Sequence, residues 1–410
     1  MKIYFDTLTM DESNLAQLDS SRGNDWWLTS RGTVIKRTLH QMNLEYHSIN
    51  DLDEPGIYFI DVNGDPNWWG GVAKGTHTPK HILEMIPESL ADLVRQKKIR
   101  LIIAADKEGG PMVNQHFDVF KKTTDIIRKR KLPASSVLII QGNKKIAGDY
   151  RKWLEKNNEE KLYEVQYSNH FARVAYDDKL PTSPCILDAV NNADSLDYNS
   201  LNRVYRPHRG AHLYYLAAND LLDKGKVSCN QMHPGDNTAA KLVDANIEDF
   251  KKTVSKNYPR FLDGDWSNTN AAWNYNTDLY RTTLLTVVTE TIFADNTCFI
   301  TEKIFKPITL GHPFLLIAGE GTLRSLRELG FRTDFLGFES YDEILDPHTR
   351  FHQIHKILNN WIKTPREDKI KKIQESMDSI MHNFNLIRES NFYTTALANA
   401  IESSEKYFNG

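Results

Sequence analysis

The sequence predicts an α/β protein of two domains, each a mostly parallel sheet covered by helices. Three observations lead there. The chain has 410 residues, more than one hydrophobic core comfortably serves, so two domains of roughly 150–200 residues each are expected. Short apolar runs of strand length recur along it. Amphipathic stretches of helix length separate those runs, the pattern of helices packed on a parallel sheet.

In chain order, Met1-Lys-Ile-Tyr-Phe reads as a short strand, without the long apolar core of a secretory leader. Ile57-Tyr-Phe-Ile60, Leu101-Ile-Ile-Ala104 and Val137-Leu-Ile-Ile140 are strands, and His81 to Ile86 and Phe117 to Arg130 are the amphipathic helices between them. Lys179-Leu-Pro-Thr-Ser-Pro184 and the polar Asn191-Asn-Ala-Asp-Ser195 interrupt the rhythm, because proline and small polar residues continue neither a helix nor a central strand. Beyond them His208 to Leu222 is a helix, with Leu213, Leu216, Ala217 and Leu221 at helical spacing, and Lys226-Val-Ser-Cys229 a strand. Leu284 to Thr289 and Pro313 to Ala318 are strands by their β-branched and apolar content. From Thr364 the pattern is helical, with Ile370, Ile373, Met377, Ile380 and Met381 as its stripe. The expected domains are 1–190, 191–365, and a helical segment 366–410 that either packs on the second domain or crosses back to the first.

Hydrophobic residues at 40% and charged residues at 26% indicate a folded chain. With 51 Lys and Arg against 54 Asp and Glu, the net charge of −3 provides no general attraction for a phosphate backbone, although such an average has room for a local basic cleft, so nucleic acid is neither indicated nor excluded. Cys185, Cys229 and Cys298 form neither a disulfide framework nor a zinc motif, which fits a reducing compartment. No apolar run reaches the about eighteen residues of a membrane span. The expected location is the cytoplasm.

Open α/β sheets bind ligands beyond the carboxyl ends of their strands. Glu290 ends the Leu284 to Thr289 strand, either as a carboxylate in the crevice or as a solvated surface group. Thr301 is placed to cap a short helix and Gly311 to end it, with Pro307 set to kink it. Glu302, Lys303 and Lys306 fall close together on that helix. A helix amino terminus with ammonium groups suits a diphosphate, and a neighbouring carboxylate suits two ribose hydroxyls. The alternative is an amphipathic surface helix with an ordinary Glu–Lys face, anchored by Ile304 and Phe305.

Arg203, Arg206 and Arg209 recur every third residue at the start of the His208 helix, where guanidinium forks would grip a pyrophosphate or merely line a linker. In the first half, Asp61, Asp106 and Glu108 follow strands. Glu108-Gly-Gly-Pro111 is a turn that would hold a carboxylate over a crevice, and Glu108 is the first candidate for a base that takes the proton of an acceptor hydroxyl. Asp25, beside Trp26-Trp27, and Asp61 are the other candidates; Trp68-Trp69 would serve acceptor stacking or simply packing. His170 and His312 sit in no metal-binding constellation, and Arg209, Lys303 and Lys306 are expected to neutralise the diphosphate without a metal. A serine hydrolase lacks its Gly-x-Ser-x-Gly elbow, and a phosphotransferase its phosphate loop.

Thr289-Glu-Thr-Ile-Phe, Phe299-Ile-Thr-Glu-Lys-Ile-Phe-Lys-Pro-Ile, Gly311-His-Pro-Phe and Gly321-Thr-Leu-Arg-Ser-Leu-Arg-Glu-Leu-Gly-Phe331 resemble the C-terminal domain of fucosyltransferase-like glycosyltransferases, including phage and bacterial relatives. Asn202 to Arg209 and Leu221 to Ser228 look like the upstream part of that domain, so the resemblance spans roughly residues 200–335. It implies a GT-B fold, two Rossmann-like domains facing a central cleft, with the donor on the C-terminal domain and the acceptor on the N-terminal one. It implies that Glu302 contacts ribose, Lys303 phosphate and Arg209 the diphosphate, with Glu290 as the family's glutamate before the motif. Glu108-Gly109 looks like the family's acidic-Gly turn for the base, although the N-terminal half departs more from the pattern. The implied activity is inverting transfer from a nucleoside-diphosphate sugar, GDP- or UDP-linked, to a hydroxyl of a glycan, a small molecule or a hydroxymethylated DNA base. The alternative is a non-catalytic nucleotide-sugar or glycan-binding protein on the same scaffold.

Overall fold

The structure is a computed structural model, and it describes residues 1–4, 42–45, 47–61, 81–105, 109–113, 117–169, 181–229, 232–260, 276–294, 297–389 and 392–409. The chain forms two compact units, residues 1–170 together with 391–410, and residues 171–390. Each contains a parallel sheet flanked by helices, the α/β class the sequence predicts.

In the first unit the described elements run β1 (Lys2–Tyr4), β2 (Gly56–Asp61), α1 (Ile82–Met85), α2 (Glu88–Arg95), β3 (Ile99–Ala105), α3 (Val119–Lys129), β4 (Val137–Gln141), α4 (Ile146–Asn157) and β5 (Glu164–Tyr167). The strands pair in parallel in the order β1-β2-β3-β4-β5. Every residue of β3 is buried, as a strand covered on both faces requires. Leu101 and Ile103 point to a core shared with α2, α3 and α4, while Ile102 and Ala104 pack with Leu397 and Ala400 of the C-terminal helix Phe392–Asn409. That helix is also held by Arg100, fully buried in β3, whose guanidinium donates to Ser403 Oγ at 2.9 Å and Ser404 Oγ at 3.0 Å and pairs with Glu164 at 3.0 Å.

The second unit runs α5 (Cys185–Asn191), β6 (Tyr198–Asn202), α6 (Pro207–Ala218), β7 (Gly225–Cys229), α7 (Asn237–Leu242), α8 (Ile247–Lys256), α9 (Thr277–Arg281), β8 (Thr286–Thr289), α10 (Glu302–Thr309), β9 (Phe314–Ile317), α11 (Thr322–Glu328), α12 (Pro347–Lys363), α13 (Arg366–Glu375) and α14 (Met377–Glu389). Its strand order is β7-β6-β8-β9, all parallel. The chain therefore leaves β6 toward β7 on one side and later returns to β8 on the other. In a doubly wound sheet such a reversal opens a crevice beyond the strands' carboxyl ends.

The structure departs from the sequence reading in three places. The unit boundary precedes α5 instead of falling near residue 190, because α5 belongs to the second core: the Cys185 amide donates to the Leu310 carbonyl at 2.8 Å, and Cys185 packs with Leu279, Tyr280 and Leu310. The segment beyond Thr364 is three helices, not one. Ser376 ends α13 with its amide turned to the Lys372 and Ile373 carbonyls, and of the expected stripe Ile373 and Ile380 are the buried members. A strand unseen in the sequence, β6, lies in the middle of the second sheet.

Candidate functional site

The carboxyl ends of β6 and β8 are Asn202 and Thr289, and the residues singled out in the sequence follow them directly. After β6 the chain passes Arg203 and Arg206 into α6, whose first residue is Pro207, a ring with the φ a helix start needs and no amide to leave unpaired. After β8 come Glu290 and Thr291, and then Thr301 caps α10 by accepting the Lys303 amide at 3.4 Å. Gly311, at φ +60°, ends α10, and an added Cβ would stand 2.4 Å from that of Pro184.

Glu290 joins the strand to the helix. Its carboxylate is fully buried and accepts from the Thr301 amide at 3.1 Å, the Thr301 hydroxyl at 2.6 Å and the Thr291 amide at 3.3 Å. Burial raises its pKa, against the opposing pull of Lys303 and the Thr301 bonds. Lys303 Nζ lies 2.6 Å from Glu302 Oε1 and also donates to the hydroxyls of Thr301 at 3.1 Å and Thr291 at 3.2 Å. For Glu302, burial pushes upward, but the Lys303 charge and hydrogen bond, aided by its own amide and Lys306, bring the pKa below the usual value. The two glutamates shift oppositely because Lys303 touches Glu302 and only faces Glu290. Lys303 and Glu302 keep side-chain exposures of 28% and 16%, so this pair, unlike Glu290, can meet a ligand.

Arg209 is placed differently from a free phosphate clamp. It is 4% exposed. One terminal nitrogen donates to the Val204 carbonyl at 2.6 Å, and the other to the carbonyls of Thr289 at 3.0 Å and Glu290 at 3.1 Å. Its Nε is buried and unpaired. Burial and then Arg206 lower its pKa to about 10, with Glu290 and Glu302 opposing. The expected diphosphate fork is thus a brace that fixes the carboxyl end of β8 to the start of α6. His208 supports the same spot: its Nε2–H donates to the Glu290 carbonyl at 2.8 Å and its ring stacks on Phe293. Burial, then the neighbouring Arg209, takes its pKa down to about 3, so it is a neutral donor.

Beneath β6 runs a continuous chain of hydrogen bonds. The His355 Nδ1–H donates to the Phe351 carbonyl at 2.8 Å, which leaves its Nε2 to accept from His212 Nδ1 at 2.8 Å. His212 Nε2 then accepts from Ser200 Oγ at 3.1 Å, Ser200 Oγ accepts from Asn202 Nδ2 at 3.2 Å, and Asn202 Oδ1 accepts from the Thr289 hydroxyl. It ties α12, α6 and the ends of β6 and β8 together. His312 is likewise structural, donating from Nε2 to the Thr283 carbonyl at 2.7 Å and accepting from Thr286 Oγ1 at 2.9 Å.

The turn between β9 and α11, with Gly319 and Gly321, has the look of a phosphate loop, but its helix terminus is taken. Asp342 accepts from the Leu323 and Arg324 amides, both at 2.8 Å. The α10 end of the crevice carries Lys303, with Lys306 one turn on. Asp342 was not legible in advance, since it meets amides eighteen or nineteen residues away and nothing local marks it.

Of the candidate bases, Asp61 ends β2, in register with Ala104. Asp25 and Glu108 lie outside the described residues, as do Asp106, His170 and the tryptophan pairs 26–27 and 68–69. No described helix is long and apolar enough to cross a membrane.

No protein-family model matches the sequence, and no curated protein matches it. Among solved structures, the chain is similar to the N-terminal domain of Candida albicans trehalose-6-phosphate phosphatase, at 10% identity and TM-score 0.44 over 98% of this chain and 89% of that one. A trehalose-6-phosphate synthase is similar at 12% identity and TM-score 0.41, over 98% and 99% of the two chains. A glycosyltransferase from Rickettsia africae ESF-5 is similar at 11% identity and TM-score 0.41, over 98% and 89%. Likenesses this distant assign no activity, substrate or residue role to the chain, so its function is argued from the crevice itself.

Proposed function

We propose that this chain is a metal-independent glycosyltransferase of GT-B type, fucosyltransferase-like, that moves a sugar with inversion from a nucleoside-diphosphate sugar to an acceptor hydroxyl. The observation that carries it is the meeting of the Lys303–Glu302 pair and the α10 amino terminus at the switch point of the second sheet. In this reading Lys303, with Lys306 beside it, stabilises the charge that develops on the leaving diphosphate, and Glu302 accepts from the ribose hydroxyls. Glu290 and Arg209 act one step back, holding that helix end and strand end in place. The second unit takes the donor and the first the acceptor, which is a glycan, a small molecule or a hydroxymethylated DNA base. Glu108, Asp25 or Asp61 removes the acceptor proton as the acceptor oxygen attacks the anomeric carbon from the face opposite the diphosphate.

The test is a screen of GDP- and UDP-sugars for release of nucleoside diphosphate and for an acceptor whose mass rises by one glycosyl residue. Release that depends on an acceptor supports the reading. Tight retention of a nucleotide sugar, with no diphosphate released for any acceptor class, would instead make the chain a binding protein.

A further inference from the structure

We infer that an exposed face of the second unit carries a transition-metal site made by Asp244, His348 and His352, separate from the proposed sugar chemistry. His348 and His352 lie four residues apart on α12, one above the other on the same helical face, with ring centroids 4.4 Å apart. Asp244 comes from the turn that ends α7, at φ +52°, a conformation that aspartate tolerates better than most residues. Its backbone is held there, since the Asp244 amide donates to the Lys241 carbonyl and the next amide to that of Ala240.

The three side chains converge. His348 Nε2 lies 2.9 Å and 3.0 Å from the two Asp244 carboxylate oxygens, His352 Nε2 lies 3.1 Å from one of them, and the two Nε2 atoms are 3.2 Å apart. The ligand atoms of a tetrahedral Zn²⁺, bonded at about 2.0–2.1 Å, stand about 3.3 Å from one another. The three edges therefore come within a few tenths of an ångström of that tetrahedron. The three ligand atoms face one another across a single gap. An ion in that gap accepts both Nε2 lone pairs and one carboxylate oxygen.

The donor set, two imidazoles and a carboxylate, suits Zn²⁺ and also Co²⁺ or Ni²⁺, and it does not suit the all-oxygen preference of Mg²⁺ or Ca²⁺. His348, His352 and Asp244 have side-chain exposures of 45%, 38% and 69%, which leaves the fourth position to water. The ion would lie near the positive end of α12, where the carboxylates of Asp244 and the N-cap Asp346 compensate. The support behind the ligands is rigid: α12 is anchored through buried Phe351, Ile354, His355, Leu358 and Trp361. Bound metal joins the α7 turn to the start of α12, two segments 104 residues apart in the chain.

The test uses the full chain, freed of metal by dialysis against a chelator, then titrated with Zn²⁺ against a chromophoric competitor and with Co²⁺ while visible absorption is recorded. The chain has 14 histidines, so the comparison with His352→Ala and Asp244→Asn carries the result. Expected are the visible bands of four-coordinate Co²⁺, a melting temperature raised by Zn²⁺, and affinity lower by about tenfold or more in each variant. Because the three side chains are exposed, the variants should keep the far-UV circular dichroism of the parent. Equal Zn²⁺ affinity in the parent and both variants, or Co²⁺ spectra of a hexa-aquo ion in the parent, overturns the assignment. Loss of Zn²⁺ binding in the variants with unchanged diphosphate release leaves the sugar-transfer reading intact, so the two proposals fail separately.

Discussion

The replacement Lys303→Met separates a binding role from a structural one. Methionine keeps the length and the apolar stem and removes only the ammonium. In the folded protein that ammonium has three partners, Glu302 at 2.6 Å and the hydroxyls of Thr301 and Thr291 at 3.1 Å and 3.2 Å. A part-exposed ion pair contributes about 0–1 kcal/mol, and both threonine hydroxyls keep a contact with water or with Glu290. The expected loss of stability is therefore about 1 kcal/mol, a shift of about 2–4 °C in a domain of this size. Glu302, relieved of its cation, should titrate higher, since burial already pushes it up. The chemical cost is larger. Removing one group that stabilises a developing negative charge costs about 2.7–4 kcal/mol, a factor of about 10²–10³ in kcat. Diphosphate release under saturating donor, beside a thermal melt of the same preparation, measures both. Lys303→Arg should retain part of the activity. Turnover near that of the parent in a folded Lys303→Met protein refutes the reasoning, and so does a melting loss large enough to explain the activity by unfolding.

Acidification should unfold the second unit early. His208 and His355, with pKa about 3, and His312, about 4, are buried and neutral. Their unfolded value is about 6.5, so the stability they allow is fully present above that pH and is lost progressively as pH falls from there through about 4 and 3. His212, held well below the usual value by burial, is a fourth, and four such groups give a slope of about 5 kcal/mol per pH unit at the acid end, reduced by Glu290 and Asp342, whose raised pKa values favour the folded state as they protonate. Denaturant titrations from pH 7 to 4.5 would measure it, and a flat profile contradicts the neutral assignment. Gly311→Ala should lose about 2 kcal/mol or more, from the positive φ and the contact with Pro184, which lowers the melting temperature by about 4–8 °C. A variant that melts with the parent would show that the α10 end relaxes freely.

The strands legible in the sequence were those with an unbroken apolar run: β2, β3, β4, β8 and β9 all lie within or upon the runs that announced them. β6 was not, although it is central, because Tyr198-Asn-Ser-Leu-Asn202 is polar at three of five positions. Asn199 donates to Thr283 at 2.7 Å and Thr286 at 3.2 Å, and Ser200 and Asn202 join the chain beneath the sheet. Tertiary hydrogen bonds replaced apolar side chains there, and no local pattern reveals them. The α10 helix was read correctly from its own residues, Thr301 at one end and Gly311 at the other. What Glu302, Glu290 and Arg209 around it would do was harder to read. Burial divides Glu302 from Glu290 and turns Arg209 inward, and burial depends on what the rest of the chain lays over them.

The hydrogen bonds from Thr289 to the Phe351 carbonyl have a direction. A backbone carbonyl terminates the series and can only accept, so every donor along it, the hydroxyls, the amide and both imidazoles, must point the same way. One tautomer is thereby imposed on His212 and one on His355, and neither ring can reverse without breaking the whole series. Such a series cannot pass a proton back and forth. It behaves as a fixed row of dipoles, and at its upper end the Thr289 hydroxyl, with its hydrogen engaged by Asn202, has only lone pairs left to offer at the strand end. The buried end of β8 therefore presents an acceptor and no donor.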